Sequence, residues 1–323
     1  MSTYIRLFTI SFFALLCISN PITGNGQEKE DDNDLLKLLD QQTTPKKEYT
    51  TATFKSTRIA NGHSIENVAK GVLDIRISHR FGAISQGMSD FFGLDNATTR
   101  IGADYGINSW LMIGIGRSTY LKEYDGFLKA KVLRQTTDNS MPISLSYMGA
   151  ISATSFKEEV PPGQTFEFGN RLAYVNQLLI ARKMNSWLSL QLMPTHIHYN
   201  LVNLASDPND VFAIGIGGRL KLSHRLSLTG EYYYLLPGSQ PAYVHNSLTI
   251  GLDIETGGHV FQLFFSNATA ITERNFIGQT TGEWARKDAN GRFTSDIHFG
   301  FNITRVFTLI RPEGFDKTKN KIW

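Results

Sequence analysis

From Gly71 to Gly82 the chain alternates between two kinds of residue: Leu73, Ile75, Ile77 and Phe81 fall on one phase, and Asp74, Arg76, Ser78 and Arg80 on the other. A period of two predicts a strand with one apolar face and one polar face. The pattern recurs down the chain. Leu111, Ile113 and Ile115 alternate with Met112, Gly114 and Gly116, and Leu128, Ala130 and Val132 with Lys129 and Lys131. Phe212, Ile214, Ile216 and Leu220 oppose Gly215, Gly217, Arg219 and Lys221, and Ile297, Phe299, Phe301 and Ile303 close the series. About twelve such segments of roughly 8–14 residues can be marked, the length of a tilted strand that crosses a bilayer. Thr50 to Ile59 is β-prone but has no apolar face, so it stays outside that count.

The connections sort by parity, with one partial exception, the short outer connection Thr119 to Glu123. Gly106 to Ser109, Met184 to Ser186 and Ser223 to Arg225 are tight, whereas Gly82 to Ala97, Phe156 to Glu167, Leu201 to Asp210 and Ser266 to Arg292 are long. Aromatic residues gather at both ends of the segments: Tyr105, Trp110 and Trp187 beside short turns, and Phe81, Tyr199, Tyr234 and Phe265 beside long ones. A soluble sandwich has no reason to sort its loops in this way. A membrane barrel has short turns on one side, long loops on the other and an aromatic girdle at each interface. The prediction is an all-β fold: an antiparallel up-and-down transmembrane β-barrel of about twelve strands, with short periplasmic turns and longer extracellular loops. The strand at 71–82 is expected to close it against Asp296–Phe307.

Hydropathy agrees. The mean is −0.19, and no apolar run beyond the first two dozen of the 323 residues is long enough for a transmembrane helix. Only helices and closed barrels satisfy their backbone in lipid, which leaves the barrel. Residues 1–26 read as a secretory signal, with Arg6 before the apolar run Leu7 to Ile18 and small residues Gly24 and Gly26 at the cleavage region. The expected organisation continues with a flexible periplasmic leader at 27–52, a barrel at 53–310 and a charged tail at 311–323. Within the leader, Asp34 to Gln41 reads as a transient helix, with a plug or docking segment as the alternative. Cys17 is the only cysteine, so the mature chain would have neither disulfides nor thiolate metal sites. A net charge of +3 is too small for nucleic acid to be the partner.

A more specific likeness lies in short runs: Ser78-His79-Arg80-Phe81-Gly82, Gly93-Leu94-Asp95-Asn96, Tyr105-Gly106-Ile107, Gly114-Ile115-Gly116-Arg117-Ser118 and Leu133-Arg134-Gln135. With these the chain resembles a family of uncharacterised outer-membrane barrels from Bacteroidota-type bacteria, a domain of unknown function. The match runs from about Thr53 to Phe307. It implies location and architecture, and brings no substrate and no catalytic residue.

Candidate chemistry sits on the polar phase. Asp74, Arg76, Arg80, Arg100, Asp104, Lys129, Lys131, Arg219, Lys221, Glu231, Asp253 and Glu255 are the expected lumen lining, with Arg219 and Glu231 diagonal neighbours across their turn. They line either a charge-selective pore or a lumen closed by its own ion pairs. His196 and His198 share a face, but the sequence nominates no third metal donor. No nucleophile elbow, phosphate loop or dinucleotide fingerprint is present, so neither catalytic residues nor cofactors are expected. The expected partners are outer-membrane lipid and lipopolysaccharide, whose phosphates Arg117 and Lys122 would meet, together with small solutes or a periplasmic or surface protein. The function expected is a narrow passive channel in the bacterial outer membrane. A non-conducting scaffold is the alternative and an embedded hydrolase a distant third.

Overall fold

The computed structural model describes residues 47–155, 167–256, 259–287 and 291–311; the expected signal, most of the leader, the 34–41 stretch and most of the tail lie outside them. Eleven strands follow one another: β1 (Val72–Ala83), β2 (Ala97–Gly106), β3 (Leu111–Ser118), β4 (Glu123–Leu133), β5 (Ser144–Thr154), β6 (Leu172–Lys183), β7 (Leu188–Tyr199), β8 (Asp210–Lys221), β9 (Leu226–Leu235), β10 (Ser247–Thr256) and β11 (His259–Ser266). A one-and-a-half-turn helix, α1 (Glu273–Gly278), and a short hairpin of β12 (Arg286–Lys287) and β13 (Phe293–Thr294) then precede β14 (His298–Thr308). Strands β1–β11 and β14 form one closed barrel of twelve strands, antiparallel throughout.

The closing seam is the expected one. Arg76 faces Thr304 and Ile77 faces Ile303 across β1 and β14. The last strand starts two residues later than the pattern suggests, because the Asp296 carboxylate is drawn into the preceding loop by both Nε and Nη2 of Arg286. Side chains alternate as the period of two requires. In β1, Asp74, Arg76, Ser78 and Arg80 are buried inside while Ile77 is exposed outside. Phe212, Ile214 and Ile216 of β8, and Ile250 and Leu252 of β10, are likewise turned outward. An apolar outer band around a polar interior is the inverse of a soluble core.

Short turns share one end of the barrel, and their residues account for their form. The Asn108 side-chain oxygen accepts from the amides of Trp110 and Leu111, Asn185 does the same for Trp187 and Leu188, and the Ser223 hydroxyl for Arg225 and Leu226. Longer connections at 84–96, 200–209, 236–246, 267–287 and 291–297 share the other end. Trp110 and Trp187 are exposed at the short-turn end, Tyr234 and Phe265 at the other. Tyr199 departs from expectation: it falls in the inward phase of β7 with Thr195 and Ile197, and is 4% exposed.

The main departure lies before β1. Residues 53–66, which fall within the expected barrel range although 50–59 stands outside the strand count, form an irregular hairpin that runs inside the barrel. Its arms meet at an antiparallel bridge between Arg58 and His63, and Ile59 N donates to Gly62 O at 2.8 Å across the tip. Ser64 ties the arms by bonding Thr57 O through its amide and Ser56 O through its hydroxyl. The chain then turns into β1 at Gly71, whose φ of +73° suits glycine. Gly71 N donates to Gly106 O, and Gly71 O accepts from Leu309 and Ile310, so the turn is held by both neighbours of β1.

Candidate functional site: the filled lumen

Of the twelve residues expected to line the lumen, Asp74, Arg76, Arg80, Arg100, Asp104, Lys129, Arg219, Glu231 and Asp253 lie inside the barrel, each at most 5% exposed. Lys131, Lys221 and Glu255 are half-buried near the short-turn mouth. Most of them grip the hairpin rather than one another. Glu231 accepts from the amides of Asn61 at 2.7 Å and Gly62 at 3.1 Å. Arg80 donates to Asn61 Oδ1 from Nε and Nη2, and Arg76 Nη2 donates to the hydroxyls of Thr57 and Ser56. Lys129 Nζ donates to the carbonyls of Ser64 and Glu66, and Arg219 Nη1 to those of Ala52 and Thr53. Lys55 of the hairpin pairs with Glu255.

The expected Arg219–Glu231 neighbourhood exists in register, since Gly217 faces Glu231 and Arg219 faces Thr229. Yet the hairpin takes both side chains, so the wall pair does not form. A buried charge needs a partner at close range, and the inserted backbone supplies one to each.

Neutral side chains complete the grip. Asn302 Nδ2 donates to Ala60 O, Gln262 Nε2 to Ile59 O and Gln191 Nε2 to His63 O. Asn61 Nδ2 donates to the Thr249 hydroxyl. These amides carry no charge signal in the sequence, and no charge-based reading selects them. One side of the lumen is apolar, and there Phe54, Ile59 and Ile65 of the hairpin pack with Met112, Met148, Met193 and Leu179. Each such side chain removed from water contributes roughly 1.5–3 kcal/mol. Gly62 sits so close to the wall that a Cβ on it would lie 2.0 Å from the Tyr233 hydroxyl oxygen.

A second element enters from the long-loop end. Helix α1 is wholly buried, with Phe276 edge-on to Tyr233 at a centroid distance of 5.3 Å. Asn275 Nδ2 donates to Glu123 Oε2, Arg274 Nε approaches the same carboxylate oxygen at 3.6 Å, and the Tyr199 hydroxyl donates to Arg274 O. The inward turn of Tyr199 thus serves α1. Hairpin and helix meet where His63 Nε2 lies 3.5 Å from Glu273 Oε1, while His63 Nδ1 lies 2.8 Å from Arg58 Nη1. Arg58 in turn lies 3.4 Å from Asp104 Oδ2. Burial, with the Arg58 guanidinium next, holds His63 well below its ordinary pKa, so the ring is neutral. Burial also lowers Arg58 to about 10, which leaves it charged at neutral pH, and pushes the Glu273 carboxyl up.

Other candidates fall elsewhere. His196 Nε2 and His198 Nδ1 are each 2.8 Å from Asp210 Oδ1 on the outer face near the rim, the carboxylate that sequence reading did not find. Among the described residues no group of three or more histidine, cysteine or acidic side chains could hold a metal ion. Arg117 and Lys122 are exposed at the long-loop end, Arg117 lying over the Tyr124 ring.

Several solved structures are similar to the chain. The NanC porin aligns at a TM-score of 0.44 and 8% identity over 74% of this chain and 100% of that one. The KdgM porin gives 0.43 and 8% over 73% and 99%, and the outer membrane protein Omp33 of Acinetobacter baumannii 0.38 and 7% over 73% and 97%. No curated protein matches the sequence. The model of one family, described as a membrane bound beta barrel domain (DUF5777), matches residues 54–307, which takes in the hairpin as well as the wall. The chain belongs to that family of membrane-bound β-barrels.

Proposed function

We propose that the protein is a non-enzymatic β-barrel of the bacterial outer membrane, a narrow passive channel for small polar solutes that its own hairpin holds shut. Short turns and the hairpin's entry then face the periplasm, long loops and α1 the outside, and the apolar band meets lipid. In that orientation Arg117 and Lys122, exposed at the long-loop end, would meet lipopolysaccharide phosphates. One observation carries the reading. The polar wall is matched by a removable segment of the same chain, bonded through side chains of β1, β4, β7, β8, β9, β11 and β14. A barrel with no use for an opening could fill its interior from its own wall.

Deletion of residues 53–66 tests this in planar bilayers. The full chain is expected to be closed nearly all of the time, and the deletion variant to conduct steadily. A shift in gel mobility on boiling verifies that the variant is folded. A folded variant that never conducts would overturn the channel reading in favour of a scaffold, which the tightness of the hairpin's hold also fits.

A further inference from the structure

At the long-loop end a cavity of about 320 Å³ lies between α1 and the β1–β14 edge of the barrel. That volume falls in the range of pockets that take small molecules. Its lining is mainly polar. Asp296 is the one acid there among the described residues, and both Nε and Nη2 of Arg286 already hold its carboxylate. No described lysine or arginine lines the cavity. An anion finds no cation in it, and a cation finds no free carboxylate. An apolar molecule would take water from polar groups that it cannot bond.

The lining offers hydrogen bonds without charge. Asn275 of α1 is 1% exposed, and its Nδ2 donates to Glu123 Oε2 at 2.8 Å and to Thr272 Oγ1 at 2.7 Å. Its Oδ1 is buried without a partner, and a buried acceptor left unpaired costs stability. His298 of β14 has Nδ1 3.0 Å from Phe81 O. A carbonyl only accepts, so Nδ1 donates, and Nε2 of the neutral ring is left as an acceptor. The Tyr120 hydroxyl, the Gln279 amide and the Thr281 hydroxyl bond no described residue. Each of these three can both donate and accept. Tyr120 is half-buried and adds an aromatic side chain, apolar over its ring and polar at its tip.

We propose that this cavity binds a neutral polyhydroxylated molecule, of the class of a mono- or disaccharide. Every hydroxyl of such a ligand donates and accepts, so one molecule can donate to Asn275 Oδ1 and His298 Nε2 and exchange bonds with Gln279, Thr281 and Tyr120. Bound there, it bridges α1 to β14, the outer closure to the wall. The inference narrows the solutes of the channel reading and rests on that reading for calling the ligand a solute. Binding itself is measured with the barrel closed, so a barrel that never conducts leaves it standing.

The test titrates the full chain in lauryldimethylamine oxide, a detergent without a sugar headgroup, by saturation-transfer NMR and calorimetry. Glucose and maltose are expected to bind saturably, and galacturonate and glucosamine to bind about tenfold more weakly at equal ionic strength. The Tyr120→Ala/Gln279→Ala variant should bind maltose about tenfold more weakly than the natural chain. A shift in gel mobility on boiling shows whether that variant is folded, and the two single substitutions take its place if it is not. Absence of saturable binding by both neutral sugars overturns the proposal. So does equal binding of galacturonate, or an unchanged affinity in the folded variants.

Discussion

Glu231 illustrates how a residue's partner can differ in kind from the one its sequence neighbourhood suggests. Its position on the polar phase of β9 is legible from the period of two, and its inward direction follows. Its bond to two consecutive backbone amides of the hairpin is not legible, because any lumen cation nearby was an equally good partner on paper. Removing that acceptor by Glu231→Ala leaves the amides of Asn61 and Gly62 buried and unpaired, a cost of about 1–3 kcal/mol. Hydrogen exchange at those two amides should accelerate by about 10–100-fold while the wall strands keep their protection; Glu231→Gln, which retains one acceptor, should lose less. Uniform acceleration across the wall would mean that Glu231 supports the barrel rather than the hairpin. The dipeptide Asn61-Gly62 is a weak pointer to this hairpin, because neither residue takes the positive φ of the usual Asn-Gly turn and the arms lack an apolar stripe.

Among elements, the wall strands were legible and the two inserted ones were not, for one physical reason. A wall strand separates lipid from lumen, so its two faces differ and the period of two appears in its sequence. The hairpin is surrounded by protein on every side, polar wall here and methionines there, so its composition follows local partners and shows no period. Helix α1 has the same excuse, being six residues of a long loop whose buried face is its whole surface.

The meeting of these two elements has a pH dependence. His63 belongs to the hairpin, and burial first, then the charges of Arg58, Lys129, Arg76 and Arg100, hold its docked pKa well below the 6.5 of a free ring although Glu273 Oε1 lies 3.5 Å away. Above about pH 6.5 neither docked nor undocked ring is protonated and docking is at full strength. Below it the undocked ring takes up a proton that the docked one refuses, so docking weakens as pH falls towards the docked pKa. Glu273, whose pKa is raised, contributes with the opposite sign. Protection of residues 58–64 against exchange, corrected for intrinsic rates, should therefore fall by roughly 10–30-fold between pH 7.5 and about pH 5. His63→Gln should remove that slope; its persistence in the variant would assign the effect to titratable groups of the wall, since Glu273 acts in the opposite direction.

At the scale of the molecule, the strand number, the parity of the loops and the β1–β14 seam were all accessible, because each follows from counting strands that must close without an edge. The filled lumen was not, since the same charges suit a pore and a plugged barrel. The seam can be tested chemically: the mature chain expected after signal cleavage has no cysteine, and Ile77 and Ile303 are direct partners on the outer face. Facing residues of antiparallel strands lie within disulfide range. The Ile77→Cys/Ile303→Cys variant should oxidise readily and, when boiled without reductant, migrate faster than its reduced form. Failure to form the bond in folded protein would contradict the register.

The turn at Gly71 has a consequence for assembly. The hairpin leads directly into β1, and β1 is one half of the pair that makes the ring complete. Whichever way the other strands are laid down, the last registration event involves the strand to which the hairpin is tethered by a few residues. The ring cannot be sealed without committing that tether to the inside or the outside. Closure of the wall and insertion of the stopper are therefore one decision in folding, made at the N-terminal edge.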